Sequence, residues 1–236
     1  MHILVIDGGH VEAEFRAKFG AGHEYSFFSS NYADHAEQEH IAPQIRTAGE
    51  IADVAFCCES AQSYLFFTGL DLPVFAEASC NSLLENLEYE HDVPRDACLF
   101  GICSLPTFLN RPLLEVSLYH ESRRAKLAET CAALGTDFRV VEDRVGLVTP
   151  RVICMIINEA CYTLQEGTAS IQDIDLAMKL GTGYPRGPFE WANAIGINRV
   201  LAVLEALWDD THDERYKICP LLKRQALRGE PFQIAD

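Results

Sequence analysis

Three short runs of this chain hold residues whose types and spacing could do chemistry. The first is Val5-Ile6-Asp7-Gly8-Gly9, where the apolar run His2 to Ile6 ends in a glycine turn and Val11 to Phe19 then has helical character. A strand that turns through glycine into a helix occupies the place of a dinucleotide fingerprint. Glycines there permit the tight turn, the close approach of backbone to a pyrophosphate, and tight helix–strand packing. The second is a set of thiols: the chain carries nine cysteines. Thiolates bind zinc, pair as disulfides or attack electrophiles. The number is odd, no CxxC pair occurs, and Cys57, Cys58, Cys154 and Cys161 lie in apolar runs. That pattern reads as reduced, buried thiols in a cytosolic protein, with no metal site. The third is Gly181-Thr-Gly-Tyr-Pro-Arg-Gly-Pro-Phe-Glu-Trp191, lying between the helical segments Ile171–Leu180 and Ala192–Leu201. Glycine opens backbone geometry closed to other residues and proline fixes φ, so this run is a rigid corner.

The elements that must position these residues follow from periodicity. Strand-sized apolar runs fall at His2–Ile6, His23–Ser29, Asp53–Cys58, Leu72–Ala76, Cys98–Cys103, Leu113–Leu118 and Phe138–Glu142. Several alternate with helical stretches, including Glu121–Leu134, which predicts a parallel, doubly wound sheet. From Leu147 the pattern is helical, including Val152–Gln165 and Asn198–Trp208. The expected organisation is an α/β domain over 1–145 and an all-α domain over 146–236. No internal repeat or low-complexity linker marks the join.

Composition bounds the partners. A hydrophobic content of 48% supports buried cores. The net charge of −16 excludes a duplex nucleic-acid surface, which needs clustered Lys and Arg. It leaves room for a local basic pocket that binds a small anion. No apolar run approaches the ~18 residues of a membrane span. Met1-His2 leads straight into a strand pattern without the features of an export signal, so the expected location is cytoplasmic.

The run Asp143 to Gly229 resembles the C-terminal helical domain of the 3-hydroxyacyl-CoA dehydrogenase family. The family string Asp-Ile-Asp-x-Ala-Met-x-x-Gly-x-Gly-x-Pro-x-Gly-Pro-Phe is matched almost residue for residue from Asp173 to Phe189, and Asp213-Glu-Arg-Tyr216 and Pro220-Leu-Leu222 fit the same pattern. The resemblance implies a shortened Rossmann-like domain followed by a helical domain. It implies NAD as cofactor and the NAD-dependent oxidation of a 3-hydroxyacyl-CoA to a 3-ketoacyl-CoA in fatty acid metabolism. It also implies a homodimer whose interface lies within residues 150 to 230. The apolar circumference of Val152–Ile157 and Val200–Leu207 supports the same expectation.

A weaker resemblance continues upstream. On the family fingerprint the first glycine becomes Asp7, the second is kept as Gly9 beside Gly8, and the third becomes Glu12. The cofactor-binding positions are thus Gly8 and Gly9, and Asp7 and Glu12 are expected to oppose a pyrophosphate. In Gly101-Ile-Cys-Ser-Leu-Pro-Thr-Phe-Leu-Asn-Arg-Pro-Leu-Leu-Glu-Val116, Cys103 stands at the family's histidine base and Glu115 at its orienting glutamate. Cysteine is a poor proton shuttle for an alcohol, and a carboxylate beside it would raise its pKa further. The substrate-binding serine corresponds to Asn81 or Ser82, and the substrate-binding asparagine to Pro150, which offers no side-chain hydrogen bond.

These departures imply a divergent family member whose dehydrogenase activity is weak or lost. The alternatives are a non-catalytic protein binding an acyl-CoA, another metabolite or a protein partner, and an altered enzyme using Cys103.

Overall fold

The computed structural model describes residues 1–30, 35–87 and 93–234. They form two compact units, Met1–Leu147 and Val148–Asp236, which divide shortly after the change of sequence period.

The first unit alternates strand and helix: β1 His2–Ile6, α1 Glu12–Phe19, β2 Glu24–Phe28, α2 His35–Ile51, β3 Val54–Cys57, β4 Val74–Glu77, α3 Leu83–Asn86, β5 Leu99–Ile102, β6 Leu113–Leu118, α4 Arg124–Leu134 and β7 Asp137–Val141. The sheet order is β2-β1-β3-β4-β5-β6-β7. The sheet is mostly parallel, as expected, with one exception: β6 runs antiparallel to β5, pairing Phe100 with Leu118, while β7 is again parallel to β6. The physical reason is the connection. Only the loop 103–112 joins β5 to β6, which is shorter than the dozen or more residues a parallel crossover requires.

Strands β1, β3 and β5 are buried along almost every residue, as expected for a sheet covered by helices on both faces. One file of aromatics crosses the sheet. Phe15 of α1 meets Phe56 edge-on at 4.9 Å, Phe56 stacks on Phe75 at 4.9 Å, and Phe75 meets Phe100 at 5.2 Å. Each such pair adds roughly 0.5–1.5 kcal/mol beyond its buried area.

The second unit is helical: α5 Thr149–Gln165, α6 Ile171–Thr182, α7 Pro188–Ile195, α8 Ile197–Thr211 and α9 Pro220–Arg228. Asn158 of α5, 2% exposed, ties the connection between α8 and α9. Its Nδ2 donates to the Lys217 carbonyl at 2.9 Å, and its Oδ1 accepts from the Cys219 N–H at 2.8 Å. The corner after α6 turns at Gly183, whose φ of 73° is the left-handed cap suited to glycine. Pro188 and buried Phe189 then start α7. Among the described residues no helix is long and apolar enough to cross a membrane.

Candidate functional site at the carboxyl edge of the sheet

In open α/β sheets ligands sit beyond the carboxyl ends of the strands. The sequence-predicted residues of the first unit fall along that edge, and most of their polar groups are already paired within the chain.

At the end of β1, Asp7 adopts a φ of 56°, a left-handed conformation that Asp tolerates better than most residues. Its carboxylate accepts the Ser30 N–H at 2.7 Å and the Ser30 hydroxyl at 2.6 Å, just past the tip of β2. Gly8 is buried, and a Cβ there would lie 2.3 Å from Val5 Cγ1 and 3.1 Å from Cys58 Sγ. Its glycine therefore serves close packing against β1 and β3. Gly9 is exposed, with nothing within 4 Å of a Cβ placed there. Glu12 corrects the expectation of two opposing carboxylates. It accepts from Arg16 Nε at 2.9 Å and Nη2 at 2.7 Å, an i,i+4 pair that compensates its charge. One carboxylate, Asp7, remains to oppose a phosphate.

The fit to NAD is poor on these observations. A dinucleotide site places an acceptor at the tip of the second strand, where it holds the ribose diol, and leaves the glycine turn free for pyrophosphate. Here the donors stand on the strand tip, the acceptor stands on the turn, and the two satisfy each other.

The middle of the edge is closed by a residue that sequence reasoning passed over. Glu77, at the end of β4, accepts the Ser79 N–H at 2.7 Å and the Ser104 N–H at 2.6 Å. The buried Ser104 hydroxyl lies within reach of both the Glu77 carboxylate and the Cys58 carbonyl, and it donates to one at a time. The ends of β3, β4 and β5 are thereby tied together. The available signal was a lone acidic residue ending the apolar run Leu72–Ala76.

Cys103 follows β5 and is 8% exposed, and half-buried Glu115 lies within β6. Arg111 stands in electrostatic range of Cys103, Glu115 and Glu14. Its Nε donates to the Thr107 carbonyl at 3.1 Å, and its guanidinium packs 4.8 Å over the Phe108 ring. Burial lowers the Arg111 pKa from its ordinary value, against the raising influence of those three groups. A guanidinium therefore stands in electrostatic range of both the thiol and the carboxylate. The loop carrying these residues is pinned by Glu14 of α1, which accepts the N–H groups of Thr107 at 2.6 Å and Asn110 at 3.2 Å.

Of the two serine candidates, Ser82 is buried as the N-cap of α3. Its hydroxyl accepts from the Glu85 N–H at 3.2 Å, and its N–H donates to the Glu85 carboxylate at 2.8 Å, a capping box. Asp143 completes the cap by accepting from Leu83 N–H at 3.0 Å and Leu84 N–H at 3.2 Å. Asn81 is exposed and donates to Asn86 at 3.2 Å. In the second unit, Pro150 is buried in the first turn of α5, where its missing N–H costs nothing. All nine cysteines are free, and no group of three potential metal ligands occurs among the described residues. Burial pushes Cys58 well above the ordinary thiol value and Cys80, Cys98 and Cys131 up to about 11.

The fold and site define a Rossmann-like α/β unit followed by an all-helical unit, with a carboxyl edge largely paired within itself. The family model of the 3-hydroxyacyl-CoA dehydrogenase C-terminal domain matches residues 146–233. The helical unit is thus similar to the C-terminal domain of that family. It is 47% identical over 93 residues to 3-hydroxyadipyl-CoA dehydrogenase of Escherichia coli strain K12, covering 39% of this chain and 20% of that one. It is 40% identical over 101 residues to 3-hydroxybutyryl-CoA dehydrogenase of Bradyrhizobium diazoefficiens, covering 43% of this chain and 34% of that one. The chain thus spans about a third or less of the curated relatives it matches. The crystal structure of (S)-3-hydroxybutyryl-CoA dehydrogenase PaaH1 from Ralstonia eutropha aligns with a TM-score of 0.70 over 97% of this chain and 94% of that one, at 20% identity. At that identity the likeness shows the fold alone.

Proposed function

We propose that this chain is a divergent 3-hydroxyacyl-CoA dehydrogenase-like protein whose oxidoreductase activity is weak or lost. The family reaction, NAD-dependent oxidation of a 3-hydroxyacyl-CoA, needs an imidazole to take the hydroxyl proton and a carboxylate to stabilise the imidazolium. The observation that carries the proposal is Cys103: a buried thiol at the base position, under the influence of the Arg111 guanidinium as well as Glu115. A thiol cycles between neutral and anionic forms, so it forms no cation for Glu115 to stabilise and is a poor proton shuttle for an alcohol.

A second reading, a non-catalytic member that binds an acyl-CoA, another metabolite or a protein partner, is favoured by the pairing along the carboxyl edge. Asp7 with Ser30, Glu77 with Ser104, and Ser82 with Glu85 occupy each other. The same reading carries a cytoplasmic homodimer through the helical unit, with a place in fatty acid metabolism. The deciding experiment is reduction of acetoacetyl-CoA by NADH. The expected rate is near background, for both the wild type and Cys103→His. Wild-type turnover near the ~10 per second typical of enzymes would reverse the conclusion.

A further inference from the structure

The Asp7–Ser30 pair has a consequence beyond weak cofactor binding. Ser30 follows Asp7 by 23 residues, close to the ~20-residue spacing at which dinucleotide folds place the ribose-binding acid. Ser30 is 2% exposed, so its N–H and hydroxyl are shielded and need an acceptor. Asp7 supplies both oxygens at once, and its own N–H donates to the Phe28 carbonyl at 2.8 Å. The turn after β1 is thereby drawn onto the tip of β2 from both backbone and side chain, at the end of the sheet where dinucleotide folds receive the adenosine ribose.

We propose that Asp7 is an internal occupant of the adenosine–pyrophosphate end of this cleft, and the residue that determines whether an adenine nucleotide can enter. The carboxylate stands in for the ligand's acceptors toward Ser30 and repels an incoming phosphate. In the rest of the turn Gly9 is open, Gly8 keeps the approach to β3, and Glu12 at the third glycine position is paired with Arg16. Removing the one carboxylate therefore restores nucleotide access without rebuilding the scaffold. This inference rests on the reading of the β1–α1 turn as a nucleotide turn, and it is independent of whether the base position is competent.

The test is calorimetric and fluorescence titration of the full chain with ADP, NADH and nicotinamide mononucleotide. Two variants are compared with the wild type. Asp7→Gly removes the side chain and suits the left-handed φ. Asp7→Asn removes the charge, tolerates the same φ and keeps the side chain's bulk, so it guards against a folding defect. The wild type is expected to show no saturable binding at millimolar nucleotide. Asp7→Gly is expected to gain affinity for ADP and NADH by about tenfold or more (~1.4 kcal/mol), with Asp7→Asn gaining less and nicotinamide mononucleotide unchanged. Tight binding of ADP or NADH by the wild type overturns the inference. So does the absence of any gain in both variants when circular dichroism shows them folded, or an equal gain for nicotinamide mononucleotide. Failure of this kind leaves the proposed loss of dehydrogenase activity standing, because that is read from turnover of acetoacetyl-CoA.

Discussion

A Cβ at Gly187 would lie 2.2 Å from Cγ of Asp175. Asp175 is 3% exposed, and its carboxylate accepts the N–H of Phe189 at 2.8 Å and of Glu190 at 3.1 Å, capping α7 from the body of α6. Glu190 reaches back to the Gly187 N–H at 3.0 Å and also accepts from Lys179. The most specific run of the sequence is therefore a folding device: Asp175 caps, Gly187 admits it, Gly183 turns the chain, and Pro188 starts the next helix. Gly187→Ala must displace that carboxylate, combining overpacking with loss of a cap, and should destabilise the helical unit by about 2–4 kcal/mol. Urea unfolding followed by circular dichroism checks it; a loss within about 0.5 kcal/mol, as for an ordinary surface change, would refute the account.

Asp175 also makes stability depend on pH in a stated direction. Burial raises its pKa from the ordinary carboxylate value, opposed by the two backbone hydrogen bonds and by Lys179 and reinforced by Glu190. The folded protein therefore holds the Asp175 proton more tightly than the unfolded chain. Its contribution is fully present below the ordinary value of about 4 and is lost as pH rises through the raised folded value. Relative to Asp175→Asn, the wild type should lose stability across that window and then level off. Denaturation midpoints of both proteins over a mildly acidic series provide the measurement, and a wild type that gains stability over Asp175→Asn as pH rises would contradict the sign.

Asn158 carries the second staple of the helical unit. Asn158→Ala leaves the buried Cys219 N–H without its partner and the Lys217 carbonyl with the longer contact from the Tyr162 hydroxyl at 3.5 Å. The expected loss is about 2–3 kcal/mol, since an orphaned buried group costs more than a hydrogen bond normally contributes. A denaturation midpoint unchanged from wild type would show that the connection between α8 and α9 finds other partners.

All seven strands were legible because buried parallel strands are continuous apolar runs, and the helical unit because its corner is written in Gly, Pro and Asp. The antiparallel turn of β6 was not, since a strand's direction depends on the length and path of its connection and not on its own residues. At the edge, residue types were legible but pairings were not. Glu12 could be seen to be acidic, yet only the helix geometry delivers it to Arg16. Ser82 reads from the sequence as a candidate substrate contact, and its capping of α3 shows only in the structure. Arg111 and Glu77 gave no periodic signal, and their roles come from loops that cross the strand ends.

Thiol reactivity separates the altered-enzyme alternative from the others. The thiolate is the reactive form, so groups held up at about 11, as burial does for Cys98, Cys131 and half-buried Cys80, are only about one-thousandth ionised at pH 8. Ellman's reagent should therefore react slowly with the native protein at pH 8 and rapidly with all nine cysteines after unfolding in urea. A single fast native thiol that maps to Cys103 by mass spectrometry would revive an enzyme using that residue.

The helical unit leaves apolar surface that its own core does not cover. Val152 is 49% exposed on α5, while Leu176 and Leu180 are 53% and 78% exposed on α6. The same two helices line a groove of about 350 Å³ whose walls include Ile156, Ala160, Ala177 and Met178. Single exposed leucines are ordinary, but several on two helices that also line an apolar groove fit a contact surface, and two-fold pairing is the commonest way a chain covers one. The chain is therefore expected to be a homodimer through residues 150 to 230, with twice the 26.3 kDa chain mass by light scattering at micromolar concentration. Leu180→Glu places a charge on an exposed position of α6, so it should cost the single chain no more than about 0.5 kcal/mol while opposing burial in a dimer. It should shift the mass toward one chain with the circular dichroism spectrum unchanged. A wild-type mass of one chain would rule the dimer out, and a Leu180→Glu protein that remains dimeric would move the interface away from this face.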